Sequence, residues 1–157
     1  IRICEANPKL RVTIIDFPHV VALGKDKVSE AGFSDRIDFI GSNALEYDWP
    51  TNVGAVLMSY LYNGVPGESI PELANKAYKV LKSGGLYVVH DFMVEDDRSG
   101  PQLAALWQLQ HLAFTPAAKS ITPSWVSSIM EEAGFLDINV AELIPDMTKV
   151  IWGRKPN

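Results

Sequence analysis

Three stretches set a polar side chain directly behind an apolar run. In VTIIDFP, residues 12–18, Asp16 closes a strand-like segment and is followed by Phe17 and Pro18. An ionised carboxylate only accepts hydrogen bonds, so it matches a vicinal diol such as the two hydroxyls of a nucleoside ribose. The same side chain is equally suited to cap a helix that starts at Pro18. In RIDFIGSNAL, Asn43 follows a second apolar segment. Its amide offers donors and an acceptor and fits the edge of an adenine ring, while Gly41-Ser42-Asn43 also has the composition of a plain turn. In VVHDFM, His90 and Asp91 are neighbours. A regular strand points them to opposite faces, so they do not form a dyad there. Asp91 is expected to face a cleft or cap a loop, and His90 to be structural.

Two more places carry reactive groups. SYLYNGVPGE, residues 59–68, joins two tyrosines and Asn63 to a Gly/Pro loop. It reads either as a functional loop or as a turn with the tyrosines packed beneath it. His111, in WQLQHLAF, falls on a helical pattern that could roof a cleft; a helix-surface position is the expectation for it.

The elements that must position these groups alternate. Strand patterns occupy 11–16, 36–41, 53–60 and 86–92, and two closing strands, 137–143 and 149–155, read as antiparallel neighbours. Helical patterns run over 18–32, from Pro18 to Gly32, and over 102–114; another opens at Thr122-Pro123 and stops at Gly134. A further helix starts near Ser69, where Ser69-x-x-Glu72 has the form of a capping box. Its apolar face is Ile70, Leu73, Ala77, Val80 and Leu81, and Gly84-Gly85 is expected to end it. VGAVLMSY is apolar almost throughout, as for a strand buried on both faces. The fold class is therefore α/β: a doubly wound, mostly parallel sheet with a closing antiparallel strand. Ligands of such sheets gather outside the carboxyl ends of the strands, which is why the residues above are singled out.

Composition narrows the function. The chain has 157 residues, enough for one domain over 1–157, with 47% hydrophobic and 21% charged residues and a net charge of −5. No Lys/Arg cluster exists to neutralise phosphates, so no nucleic-acid partner is expected. No run of about 18 apolar residues occurs, so no membrane partner is expected. The single cysteine, Cys4, suits a reducing, cytoplasmic location. Ile1 is not a methionine, and IRICEANP reads as the end of a helix with Ile1, Cys4 and Ala6 on one face. We expect the chain to be part of a longer one.

The segments VTIIDFP, DRIDFIGSNALEYDWP, VLMSYLYNGVPGE, KAYKVLKSGGLYVVHDFMVEDDRSGP and ITPSWVSSIMEEAGF, in this order, resemble the C-terminal catalytic domain of S-adenosylmethionine-dependent small-molecule O-methyltransferases of the acetylserotonin, caffeate and hydroxyneurosporene type. The resemblance implies a Rossmann-like class I methyltransferase sheet. It implies S-adenosyl-L-methionine as cofactor and a small, aromatic or polyketide-like methyl acceptor as partner. It places Asp16 on the cofactor ribose with Phe17 beside it, Ser42, Asn43 and Ala44 at the adenine, and Ser59 near the cofactor. Asn63 and Asp91 become the catalytic positions. It also implies a homodimer formed through an N-terminal domain, and a first strand with a Gly-rich loop, that this chain lacks; that strand belongs between 11–16 and 53–60, so a gap in the sheet is expected.

Two departures stand out. Asn63 occupies the place of the family's histidine base, and an amide does not take a proton from a phenol near neutral pH. Of two acids that orient that base, Asp91 matches one and Ser120 replaces the other. Asn63 can still orient an acceptor, with Asp91, His90, a tyrosine or water taking the proton. Two other readings are a family member with altered or lost methyl-transfer chemistry and an NAD-dependent dehydrogenase, whose ribose Asp16 would also hold. Trp49, Tyr60, Tyr62, Trp107, Phe114 and Trp125 are candidates to line an apolar pocket.

Overall fold

The computed structural model describes residues 1–115 and 117–157, in two units, Ile1–Trp49 and Pro50–Asn157. In the first, α1 (Arg2–Ala6) leads to β1 (Val12–Asp16), α2 (Pro18–Glu30) and β2 (Ile37–Gly41). β1 and β2 are parallel, in register from Val12 opposite Ile37 to Asp16 opposite Gly41. Cys4, Val28 and Ile37 are buried, and Leu10, Val12, Ile14, Phe33 and Phe39 pack on them. Of the N-terminal face expected from the sequence only Cys4 is buried, because α1 is a single short turn and Ile1 is 40% exposed. Pro18 fills the first turn of α2, and Gly32, at φ +74°, follows its C-cap Ala31, as the Pro-to-Gly spacing predicts. Gly24 has no room for a side chain: a Cβ there would lie 2.8 Å from the Phe39 ring.

The second unit holds β3 (Val53–Ser59), a 3-10 turn (Tyr62–Gly64), α3 (Ser69–Val80), β4 (Leu81–Asp91), α4 (Gln102–Phe114), α5 (Pro123–Glu132), β5 (Leu136–Ile144) and β6 (Thr148–Arg154). Its sheet order is β3-β4-β6-β5. β3 and β4 are parallel, and β6 runs antiparallel to both β4 and β5. The closing strands are thus the antiparallel neighbours their sequence announces. Tyr87 and Val89 of β4, Ile151 of β6, Ile70 and Leu73 of α3, and Val126 and Met130 of α5 form a core whose members are wholly shielded from solvent. Phe135 stacks on Tyr87 and meets Tyr78 edge-on, which adds aromatic contact to that burial.

Three local expectations are corrected. β3 is not buried on both faces: Leu57 is 49% exposed, because β3 is an edge strand paired only to β4 among the described residues. Strands 12–16 and 53–59 accordingly belong to two separate sheets, in keeping with the expected interruption. Ser69 is the first residue of α3 rather than its cap; Glu68 takes that place, and no side chain caps it. α3 ends at Val80 instead of at Gly84-Gly85, and β4 already starts at Leu81. The glycines serve inside the strand: Gly84 adopts φ +70°, and a Cβ on Gly85 would come within 2.7 Å of the Lys82 carbonyl. At α5, Thr122 caps the helix through its hydroxyl, as expected.

Candidate active site

In the first unit, the parallel pairing brings the strand-end residues to one edge. The Ser42 amide donates to the Asp16 carbonyl at 2.8 Å, so the ends of β1 and β2 are tied together. Asp16 is half-buried and does not cap α2, whose N-cap is Phe17. One carboxylate oxygen accepts from the Phe17 amide at 2.8 Å; the other has no partner among the described residues. The Phe17 ring is 51% exposed and stacks on His19. Asn43 is engaged in its own turn: its carbonyl oxygen accepts from the Leu45 amide at 3.1 Å and its NH2 donates to Glu46 at 2.8 Å. The Ala44 carbonyl accepts from the buried Trp49 indole at 2.9 Å. Trp49 therefore packs behind this turn. Two open concavities of this unit, along Ala6–Leu10 and between Lys25 and Phe39, lie away from these residues; parallel-strand topology, not depth, defines the candidate site.

In the second unit, Asn63 and Asp91 are in direct contact and both are buried. The Asn63 NH2 donates to Asp91 at 2.6 Å and to the Phe92 carbonyl at 2.9 Å, and the Asn63 backbone amide donates to the second carboxylate oxygen at 3.3 Å. The Phe92 amide adds a bond to Asp91 at 2.9 Å. Burial pushes the Asp91 carboxyl above its ordinary value, and these donors pull it partly back. Since both partners of the Asn63 NH2 are acceptors, the orientation of the amide is fixed chemically. Its carbonyl oxygen is buried and has no hydrogen-bond partner among the described residues. An unpaired buried acceptor costs about 1–3 kcal/mol. A donor group on a bound molecule would remove that cost.

A second layer supports this pair. Gln108, buried on α4, donates through its NH2 to the same Phe92 carbonyl at 2.9 Å and to the Ile121 carbonyl at 3.0 Å. Ser120 donates to the Gln108 side chain and accepts from Arg98, each at 2.5 Å. It therefore bears on the site only through Gln108, and it is exposed. Ser59 and His90 are opposite each other on β3 and β4, with the Ser59 hydroxyl 3.1 Å from Nδ1 of His90. Thr148 lies 3.0 Å from Nε2, so both ring nitrogens are taken. Burial lowers the His90 pKa and favours the neutral ring.

The aromatic residues divide. Tyr62 is fully buried, and its hydroxyl is bonded to that of Tyr87. Burial pushes both phenols well up, so Tyr62 belongs to the core and not to a pocket wall. Tyr60, Phe92, Trp107 and His111 form a continuous cluster: Phe92 and Trp107 stack at 4.4 Å, Tyr60 tilts against both, and His111 lies 5.0 Å from Trp107. The Trp107 indole NH is buried without a partner among the described residues. Phe114 is 77% exposed, and Trp125 sits under the Lys119 ammonium. Sequence reasoning missed Gln108 and gave His111 a surface role. The available signal was the four-residue spacing Trp107–His111, one helical turn.

Residues 2–136 match the O-methyltransferase domain family, and the chain belongs to that family. It is 28% identical over 156 residues to the 3-hydroxy-5-methyl-1-naphthoate 3-O-methyltransferase of Streptomyces sahachiroi, covering 99% of this chain and 45% of that protein. A Nostoc punctiforme crystal structure assigned to the O-methyltransferases superposes with a TM-score of 0.90 at 25% identity, over 98% of this chain and 47% of the other. Human N-acetylserotonin methyltransferase, solved in complex with S-adenosylmethionine, shares the fold with a TM-score of 0.83 at 24% identity, over 98% and 43% of the two chains. The chain thus spans about half the length of the relatives it matches. Membership in this family replaces the dehydrogenase reading, and the antiparallel β6 agrees with it.

Proposed function

We propose that the protein transfers a methyl group from S-adenosyl-L-methionine to a hydroxyl of a small, aromatic or polyketide-like molecule. The observation that carries this reading is the buried Asn63 carbonyl oxygen, held in place by Asp91 and left without a donor. A hydroxyl group supplies that donor. Asn63 then aligns the acceptor oxygen while Asp91, already saturated with donors, fixes the amide. Alignment of this kind supplies up to about 7–11 kcal/mol of a barrier. Tyr60, Phe92 and Trp107 offer flat apolar surface for a ring.

The cofactor, when bound, supplies an electrophilic methyl group. The residues of the first unit suit its adenosyl part: the free Asp16 carboxylate oxygen matches a ribose diol, with Phe17 beside it. Asn43 retains one N–H beyond its turn, and Ser42 and Ala44 flank it. Ser59, held by His90, is assigned to the cofactor as well. A cytoplasmic location and homodimerisation through a segment outside this chain complete the proposal.

The test is to give the full-length protein labelled S-adenosylmethionine and a panel of phenols. Methyl transfer to at least one acceptor is expected; cofactor binding with no transfer to any would count against the reading. The non-basic Asn63 favours one alternative, a protein that keeps the cofactor and has lost the transfer. Activity that appears only in Asn63→His would support that alternative.

A further inference from the structure

We infer that His111 is the general base of this site, the proton acceptor having moved from the 3-10 turn at Tyr62–Gly64 to helix α4. This rests on the proposed methyl transfer to a hydroxyl. A weakly acidic hydroxyl must lose its proton as its oxygen attacks, and a positioned base contributes about 10²–10⁴-fold. The amide of Asn63 has no basic lone pair to offer. Asp91 is wholly buried and already accepts from the Asn63 side chain, the Asn63 backbone and the Phe92 backbone. His90 has Ser59 on one nitrogen and Thr148 on the other. Tyr62 and Tyr87 are bonded to each other inside the core.

His111 differs from all of these. Its Nδ1 lies 3.0 Å from the Trp107 carbonyl, one turn earlier in the same helix. A carbonyl only accepts, so Nδ1 carries the hydrogen and donates it. That contact fixes the tautomer and leaves the basic lone pair on Nε2, which has no partner among the described residues. The ring lies over the residue that follows Asn63: a Cβ built on Gly64 would stand 4.0 Å from Cδ2, the ring carbon bonded to Nε2. The Thr115 hydroxyl, bonded to the Gly64 carbonyl at 3.4 Å, holds the end of α4 on this turn. Trp107 supports the ring from the side at 5.0 Å and stacks on Phe92, whose carbonyl anchors Asn63. Asn63 thus orients the hydroxyl and His111 takes its proton. The O–H bond breaks, and an N–H bond forms at Nε2. The oxygen keeps its electron pair for the new bond to the methyl carbon, the pair of the old carbon–sulfur bond stays on sulfur, and the imidazolium passes its proton to water.

The experiment uses the full-length protein and two readouts. In turnover with a methylated phenol, His111→Gln is expected to lower kcat about 100-fold or more with acceptor KM and thermal midpoint little changed, whereas a loss under about threefold overturns the inference. Added imidazole is expected to restore part of the rate to His111→Ala. The second readout needs no turnover: 4-nitrophenol bound to the protein without cofactor is expected to show its phenolate absorbance below its solution pKa, and His111→Gln to abolish that band. No band on the unaltered protein, or a band that survives in His111→Gln, overturns the assignment. Should no acceptor be methylated at all, the functional proposal fails, and the nitrophenol spectra still decide the role of His111.

Discussion

Asp16 and Asp91 both close a strand of a parallel pair, yet their surroundings are opposite. Asp16 stays half-buried, accepts one backbone amide and keeps an oxygen free. Asp91 is shut away from water, and its two oxygens hold Asn63 and the start of the segment after β4. The β1–β2 edge therefore leaves a carboxylate oxygen open, and the β3–β4 edge holds a polar side chain rigid in a dry place. Sequence position puts a carboxylate at a strand end; burial decides whether it binds or braces.

The contrast can be broken by removing each acid in turn. Asp91→Ala should cost about 3 kcal/mol or more in urea unfolding, since it strands several buried donors at roughly 1–3 kcal/mol each. Asp16→Ala should leave unfolding within about 0.5 kcal/mol of the unaltered protein. Its effect belongs to the ligand: titration calorimetry with S-adenosylhomocysteine should show affinity falling about 10–100-fold, the worth of hydrogen bonds to a charged group. Equal stability losses for the two variants would erase the distinction.

The dryness of the β3–β4 edge also sets a pH response. Tyr62 and Tyr87 resist ionisation in the folded state, while in the unfolded chain they ionise near pH 10. The unfolded state therefore binds fewer protons above that pH, and stability is lost as the pH rises, by about 1.4 kcal/mol per unit for each phenol. Denaturant titrations at increasing alkaline pH should show this slope, and Tyr62→Phe should flatten it by about half. A modest effect is expected at the open edge, where Asn43→Ala loses two turn bonds, one exposed and one part-buried, about 0.5–1 kcal/mol by chemical unfolding.

Much of the frame was legible beforehand. Alternating apolar segments and the Pro18, Gly32, Thr122 and Gly134 signals mark elements whose boundaries depend on local backbone chemistry. The strand ends named Asp16, Asn43, Ser59 and Asp91 because parallel topology alone selects them. Exposure of β3 was not legible, since an apolar run carries no record of how many neighbours its strand has. Nor was the division between Tyr60 and Tyr62, two residues apart. Tyr60 adopts φ +55° and leaves the strand toward Trp107, while Tyr62 turns inward to Tyr87.

What the sequence by itself determined is which residue types stand at and just beyond the ends of the strands: acids at Asp16 and Asp91, and a non-basic amide at Asn63. Only the tertiary structure decided what those groups are free to do. Hydrogen-bond capacity is used up by neighbours distant in the chain: Asp91 by Asn63, 28 residues away, and His90 by Thr148, 58 residues away. A side chain's chemistry is written in its formula, but the lone pair or proton left over for a ligand is known only once every other partner is in place.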